Sequence, residues 1–357
     1  MDRLTRPVLV TGGAGFIGSN LSDRLAREGH DVLVFDNLGR PGVELNLADL
    51  QARHPNRVRV RVGDLRDPDA VDQAVAQAGA IFHFAAQVAV TTSLEDPETD
   101  FDVNLAGTVG LLEAVRRHGG RTPVMFASTN KVYGDLADLV LESRPDGYAP
   151  LDPRLRERGV GEDRPLNFHT PYGCSKGAAD QYVLDYARSY DLPACVLRMS
   201  CIYGPRQMGA EEQGWVAHFL KQALAGRPIR IFGDGRQVRD VLDVSDAVDA
   251  WISAWRRIDR VKGRAFNLGG GPVNAVSLRQ VIDHIETLLG RSVEVEFLDW
   301  RPGDQRWFVS DPSAARLALG LPEPTPWRDG LAGLAEWLRG REPDDADLPL
   351  AIGGAAR

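Results

Sequence analysis

Short apolar runs and longer mixed stretches alternate along the first part of the chain. Val8-Leu9-Val10, Asp31-Val32-Leu33-Val34-Phe35, Val58-Arg59-Val60, Ala80-Ile81-Phe82-His83-Phe84, Pro123-Val124-Met125-Phe126 and Ala194-Cys195-Val196-Leu197 are brief, mostly β-branched or aromatic, and bounded by Gly, Pro or Asp. That pattern predicts strands. Between them, Asn20–Glu28, Pro68–Ala78, Val103–Arg117 and Ser175–Tyr190 have helical length. Continuously apolar strands alternating with helices predict an α/β fold, a doubly wound and mostly parallel sheet with helices on both faces. Beyond about residue 200 the chain has more Pro, Gly and Arg and shorter elements, which reads as a smaller α/β lobe. Residues 1–200 are assigned to the large domain, and 201–240 with 267–340 to the smaller lobe. Residues 241–266 return to the large domain, because Val241–Trp255 followed by Ala265-Phe266-Asn267-Leu268 repeats a helix-then-strand pattern. Residues 341–357, acidic and then Gly/Ala-rich, read as a loose tail.

Composition narrows the partners. With 42 basic and 50 acidic side chains the net charge is −8, the wrong sign for general nucleic-acid or anionic-membrane binding. No apolar run reaches the length of a membrane span, and a strand pattern within ten residues of Met1 leaves no room for a signal peptide. Three cysteines (Cys174, Cys195, Cys201) form neither a disulfide framework nor a metal-binding spacing, so a reducing cytoplasm and no metal are expected. Four residues of the basic set are lysines (131, 176, 221 and 262) against 38 arginines. Each lysine therefore merits inspection.

The first strand runs into Thr11-Gly12-Gly13-Ala14-Gly15-Phe16-Ile17-Gly18 and then a helix. A side-chain-free turn before a helix lets a pyrophosphate sit on free N–H groups at the helix N-terminus, as in a Rossmann dinucleotide site. Asp36 ends the second strand, where a carboxylate accepts from both adenosine-ribose hydroxyls and would repel a 2′-phosphate. NAD is thus favoured over NADP, although the nearby Arg40 keeps the phosphorylated cofactor as an alternative. Asn37, Asp64 and Leu65 extend the cofactor side. Asp64 follows the third strand and either accepts from the adenine amino group or caps the helix ahead of Pro68. Phe84, Ala85, Ala86 and Gln87 follow the fourth strand, with small residues that allow close backbone approach. Asn104, inside a buried helix, is grouped with this region, its amide satisfying backbone near the site.

Tyr172-Gly173-Cys174-Ser175-Lys176 places a phenol and an ammonium four residues apart on one helix face. A nearby cation would bring a phenol toward working pH as a base; the mundane alternative is an exposed pair. The fifth strand ends in Ala127-Ser128-Thr129-Asn130-Lys131-Val132-Tyr133-Gly134. A hydroxyl there either binds a substrate alcohol beside the phenol or caps a turn.

On these motifs the chain resembles the extended short-chain dehydrogenases/reductases, in the nucleotide-sugar epimerase and dehydratase group, over about residues 7–340. The resemblance implies that Thr129, Tyr172 and Lys176 form a catalytic triad, that Lys176 also binds the nicotinamide ribose, and that Met199 lies near the nicotinamide pocket. It implies a nucleoside-diphosphate sugar bound between the lobes. Dehydratases of the group carry Asp-Glu where this chain has Asn130-Lys131, which disfavours dehydration. Many 4-epimerases have Asn where this chain has Cys201. Ser128–Gly134, Ala85–Ser93, Phe168–Tyr182 and Gln213-Gly214-Trp215-Val216 instead resemble the branch that epimerises C2 of CDP-linked hexoses. The expected reaction is NAD-dependent C2 epimerisation through a 2-keto sugar, the alternatives being a C4-epimerase, a dehydratase or a non-catalytic NAD sensor. Arg239 and Arg301 match the group's phosphate-binding arginines, or are surface ion pairs. Ile231 and Phe232 flank the base, or are strand core. Asn130, Gln207, Gln213 and Trp215 complete the substrate residues. Residues 135–170 are expected to border the sugar, and a homodimer or homotetramer through 103–117 and 175–190 is expected.

Overall fold

The structure, a computed structural model, describes residues 5–340 except Pro302; the tail at 341–357 lies outside the described residues. Seven parallel strands form the central sheet. They are β1 (Val8–Thr11), β2 (Val32–Asp36), β3 (Val58–Val62), β4 (Ala80–His83), β5 (Val124–Thr129), β8 (Ala194–Met199) and β12 (Ala265–Leu268), in the order β12-β8-β5-β4-β1-β2-β3. Chain order reverses between β1 and β4, so their carboxyl ends open the crevice where doubly wound sheets bind ligands. Every residue of β1, β4 and β5 is buried, as continuously apolar strands require when helices cover both faces.

One face carries α1 (Phe16–Arg27), α2 (Val43–Arg53), α10 (Val244–Arg256) and α11 (Ile258–Val261), whose buried side chains join Val8, Val34, Phe82, Met125 and Leu197 in one core. The opposite face carries α3 (Pro68–Gln77), α6 (Gly107–Arg117) and α8 (Thr170–Ser189), which meet Leu9, Ile81, Phe126 and Val196. Between β4 and α6 the chain forms α4 (Val90–Glu95), α5 (Pro97–Phe101) and a π-helical turn, Asp102–Ala106. The expected helix over 103–117 therefore begins with that turn. The helix expected from Ser175 begins at Thr170, which brings Tyr172 into its first turn.

Among the described residues three smaller sheets build the rest, the third a hairpin. β9 (Cys201–Tyr203), β11 (Val238–Asp243), β13 (Ala275–Ser277) and β15 (Trp307–Phe308) form one, and β10 (Ile229–Phe232) pairs with β14 (Val295–Leu298) in a second. Residues 241–243, read from sequence as helix, are the end of β11; its Asp243 caps α10 by accepting from the Ser245 N–H at 2.8 Å. The helices α9 (Trp215–Leu224), α12 (Leu278–Leu289) and α14 (Trp327–Arg339) enclose this lobe's core around Phe219, Ile231 and Leu334. α13 (Ser313–Leu319) packs back on β12. The 135–170 segment holds a hairpin, β6 (Leu141–Arg144) with β7 (Gly147–Pro150), and α7 (Pro153–Arg158). Its apolar residues Leu141, Tyr148 and Leu155 pack with Val238, Trp307 and Phe308. None of residues 135–170 lines the sugar-side cleft described below, contrary to the sequence expectation. Its Pro, Arg and Asp residues serve hairpin and caps; Asp152, for example, caps α7. Among the described residues no helix is long and apolar enough to cross a membrane.

Candidate active site

Two clefts meet at the carboxyl edge of the sheet. The first is lined by Gly12, Gly15, Phe16, Ile17, Gly18, Asp36, Asn37, Asp64, Leu65, Phe84, Ala85, Ala86, Tyr172 and Met199, as the sequence reading expects. Gly12 has φ +67°, and a Cβ there would lie 2.7 Å from the Ala85 nitrogen, so only glycine lets the turn nest against the chain leaving β4. At Gly15 a Cβ would lie 3.1 Å from the Gly12 carbonyl oxygen, a tight approach to backbone. No side chain caps α1 and no acid occupies its first turn, which leaves N–H groups free for a phosphate. Asp36 accepts from the N–H groups of Ala14 at 3.0 Å and Leu38 at 2.9 Å. Its carboxylate thereby ties the glycine turn to the end of β2 and keeps lone pairs for a ribose. Asp64 receives Arg66 through Nε and Nη2, both at 2.9 Å, and Asn37 Nδ2 at 3.0 Å. Those hydrogen bonds, Arg66's above all, hold its carboxyl well below the usual range. The cap of α3 is Asp67, not Asp64. The open turn, the uncapped helix and the acid beyond β2 fit a dinucleotide.

Three assigned residues do not reach this cleft. Gln87 folds onto its own loop, its amide exchanging hydrogen bonds with Ala89 at 2.8 and 2.7 Å. Asn104 is wholly buried; its amide accepts from the Gln87 N–H at 2.9 Å and lies 3.0 Å from the Gln87 carbonyl. It pins that loop to the π turn, the backbone-satisfying role expected of its amide, and it does not line the cofactor cleft. Lys176 is 3% exposed, one helical turn after Tyr172, with its Nζ 4.2 Å from the Phe126 ring centroid.

The second cleft is lined by Thr129, Asn130, Gln207, Gln213, Trp215, Ile231, Phe232, Arg239 and Arg301, all nine predicted substrate residues. Phe16, Ile17, Val88, Tyr172, Met199, Gln207 and Gln213 line both clefts. Tyr172 is thus at the junction, in reach of ligands on either side. Burial pushes its phenol up to about 12, the Thr129 hydroxyl opposing this and the Asp100 charge adding to it. Burial likewise pushes the Lys176 ammonium down to about 7, opposed by Asp180 and Asp100. At the cleft's far end the Arg301 guanidinium stacks 3.6 Å from the Phe232 ring centroid, and Arg239 pairs with Asp304 at 2.7 Å. Lys131 lies beside them with Nζ 3.4 Å from the Gly303 carbonyl, and burial, then Arg239, pushes it down to about 8.

Some lining residues had received no role from sequence. Asp304 follows Arg301 by three residues, so the Arg-Pro-Gly-Asp run in the sequence is a usable signal. Gln237 was not readable: its amide donates to the Phe232 carbonyl at 2.5 Å and leaves Oε1 without a partner beside the cleft, a fact of tertiary contact. Such a site can bind a dinucleotide in one cleft and a phosphate-bearing ligand in the other, with one phenol between them.

Comparison with known proteins agrees. Residues 8–269 match the NAD dependent epimerase/dehydratase family. A CDP-paratose 2-epimerase from Salmonella typhi is 38% identical over 337 residues, covering 92% of this chain and 98% of that protein. A dTDP-glucose 4,6-dehydratase from Mycobacterium tuberculosis is 34% identical, covering 94% of each chain. The crystal structure of Thermus thermophilus UDP-glucose 4-epimerase in complex with NAD superposes with a TM-score of 0.78 at 32% identity, covering 94% of this chain and 99% of that one. With glycine turn, tyrosine–lysine helix and paired clefts in place along its length, the chain belongs to the NAD dependent epimerase/dehydratase family, and it is an NAD-dependent nucleotide-sugar epimerase.

Proposed function

We propose that the enzyme inverts C2 of a CDP-linked hexose, as the name of the Salmonella relative describes for CDP-paratose. The observation that carries this is the floor of the second cleft. Beside Thr129 it presents an amide and an ammonium, Asn130 and Lys131, where a dehydrating acid/base pair would need carboxylates; the carboxylates that line this cleft, Glu211, Glu212 and Asp304, come from other segments. The similarity to a 2-epimerase over 98% of its length then favours C2 over other carbons.

Gly12, Gly15, Gly18 and the start of α1 would hold the NAD pyrophosphate, and Asp36 its ribose. Bound NAD supplies a reversible hydride acceptor, which makes a transient 2-ketone accessible. Tyr172 Oη takes the proton from the C2 hydroxyl and later returns one to the same oxygen after the sugar has turned. Thr129 holds that oxygen by hydrogen bond. The Lys176 ammonium lowers the phenol toward neutrality, against the burial that raises it. Arg239 and Arg301 hold the diphosphate while the sugar reorients, a task suited to guanidinium forks. The exposed Tyr182 and Tyr190 on and beside α8 support a homo-oligomer through α6 and α8.

The test is incubation with CDP-, UDP-, GDP- and dTDP-hexoses, with the product read by NMR. A CDP-hexose inverted at C2, without solvent deuterium on carbon, is expected. Inversion at C4 alone would refute the assignment and favour the activity of the Thermus structure; deuterium at C5 or C6 would indicate dehydration. Tyr172→Phe should abolish turnover and leave NAD bound, and unchanged epimerisation would remove Tyr172 as the base.

A further inference from the structure

We propose that Asp100 is a positioning residue for this reaction, its buried carboxylate serving as the counter-charge that keeps Lys176 an ammonium one helical turn after Tyr172. The inference rests on the roles of Tyr172 and Lys176 proposed above. Asp100 lies in α5, 75 residues before Ser175, and is completely buried. A carboxylate in such a place requires donors or a cation. Its two donors are neutral: the Ser175 hydroxyl, in a short hydrogen bond to Oδ2, and Asn104 Nδ2, 3.1 Å from Oδ1. Ser175 immediately precedes Lys176, and its Oγ lies 3.3 Å from the Tyr172 carbonyl. The carboxylate is therefore anchored to the turn of α8 that carries phenol and ammonium.

Two carboxylates act on Lys176, Asp180 and Asp100. Asp180, one turn further along α8, is already matched. Arg198 from β8 grips both its oxygens, at 2.9 and 3.0 Å, and Ser128 from β5 donates to it at 2.7 Å. No arginine is paired with Asp100 among the described residues. Tyr172, one helical turn from Lys176, is itself titratable, and Asp100 acts on its phenol directly by pushing it up, so Asp100 can help that phenol only through the ammonium. The Phe126 ring on β5 is neutral. His83 on β4 has Thr11 Oγ1 at 2.7 Å and Thr108 Oγ1 at 3.0 Å on its two ring nitrogens, and burial, then Lys176, pushes it down to about 3. Beyond Asp100 lies Asp96, exposed and facing Arg66. Burial pushes the Asp100 carboxyl up, whereas Ser175, Lys176 and Asn104 pull it down. Each charge of the pair thus depends on the other. With a neutral group at position 100, only Asp180, already gripped by Arg198, would oppose burial, and the balance at Lys176 would shift toward the uncharged amine, which cannot help the phenol ionise.

The experiment is a pH titration of Asp100→Asn in the NAD-loaded enzyme. Lysine Cε resonances report it, and the chain has four lysines to assign, at 131, 176, 221 and 262. The Lys176 midpoint should fall by about one unit, roughly a tenfold change in its acid constant. The alkaline limb of kcat, read with the CDP-hexose the wild type turns over, should move down with it. Ser175→Ala, which removes the anchor and keeps the carboxylate, should lower kcat with a far smaller shift. A Lys176 midpoint unmoved in Asp100→Asn would overturn the inference, whatever happens to the rate. Should that variant not fold, the wild-type Asp100 carboxyl resonance decides: ionised at pH 7 supports the pairing, protonated overturns it. Turnover surviving in Tyr172→Phe would instead refute the underlying reaction scheme. An inactive Tyr172→Phe with an unmoved Lys176 midpoint would leave that scheme standing and remove only Asp100.

Discussion

The scarcity of lysine gives each buried one a measurable signature. Lys131 is a buried cation repelled by the charge of Arg239, with Asp304 offering partial compensation. Its folded value, about 8, lies below the ordinary 10.5, so between those values the unfolded chain binds more protons than the native one. Stability from this group therefore rises with pH across that window, and below about pH 8 the buried charge is a standing cost. Lys131→Met removes the charge and keeps the volume. It should stabilise the protein at pH 7 by about 1–2 kcal/mol, a figure reduced for residual water access, and flatten the rise in stability between pH 8 and 10. Urea unfolding at several pH values checks this; a loss of stability at pH 7 would show that the ammonium is favourably paired. At this scale the sequence identified Lys131 and Lys176 as positions of interest. It could not reveal Asp100, whose relevance arises only when α5 and α8 meet across 75 residues.

The strands were legible because each is a short apolar run closed by Gly, Pro or Asp, and the strand–glycine turn–helix order fixed the cofactor cleft. Helix starts were less legible. α8 begins at Thr170 because the Pro171 of Thr-Pro-Tyr fits a first helical turn, and the π turn at 102–106 leaves no mark in side-chain periodicity. What seats α8 on the sheet is also invisible to pattern. The Asp180–Arg198 pair, 0% and 5% exposed, joins α8 to β8, Ser128 adds β5, and Arg198 Nη1 reaches Tyr133 Oη at 3.1 Å. Arg198→Met should leave the Asp180 carboxylate buried and uncompensated, costing about 3–5 kcal/mol. Arg198→Met with Asp180→Leu should recover much of that loss, because neither member of the ion pair remains to be desolvated. Denaturant melts of both variants test it, and equal instability would show that the hydroxyl partners, not the ion pair, hold the helix.

The two clefts have different architectural owners, and that sets how ligands should act on the whole molecule. The dinucleotide cleft is built chiefly by loops after β1, β2, β3 and β4, all within the seven-stranded sheet. The second cleft spans the carboxyl end of that sheet's β5 and the small sheets, through Arg239 of β11, Phe232 of β10 and the 207–215 loop. Arg40, from the loop after β2, makes a short hydrogen bond to Gln213 of that loop, so the same strap borders both ligands. NAD should stabilise the first body by ordinary linkage, about 2.7 kcal/mol at a hundredfold excess over Kd. A CDP-hexose should add its own increment only where both bodies are folded. Hydrogen exchange separates the two effects. NAD alone should protect 11–18, 36–40 and 84–86, together with part of 207–214. Subsequent addition of the nucleotide sugar should extend protection to 229–233, 238–240 and 301–304. Arg40→Ala should leave the sugar-lobe response at 229–233 intact and weaken NAD protection at 207–214, since the clasp, not the base-side strand, would be lost. Equal protection of both regions by NAD alone would instead mean that the small sheets are held by the cofactor and that the clefts act as one unit.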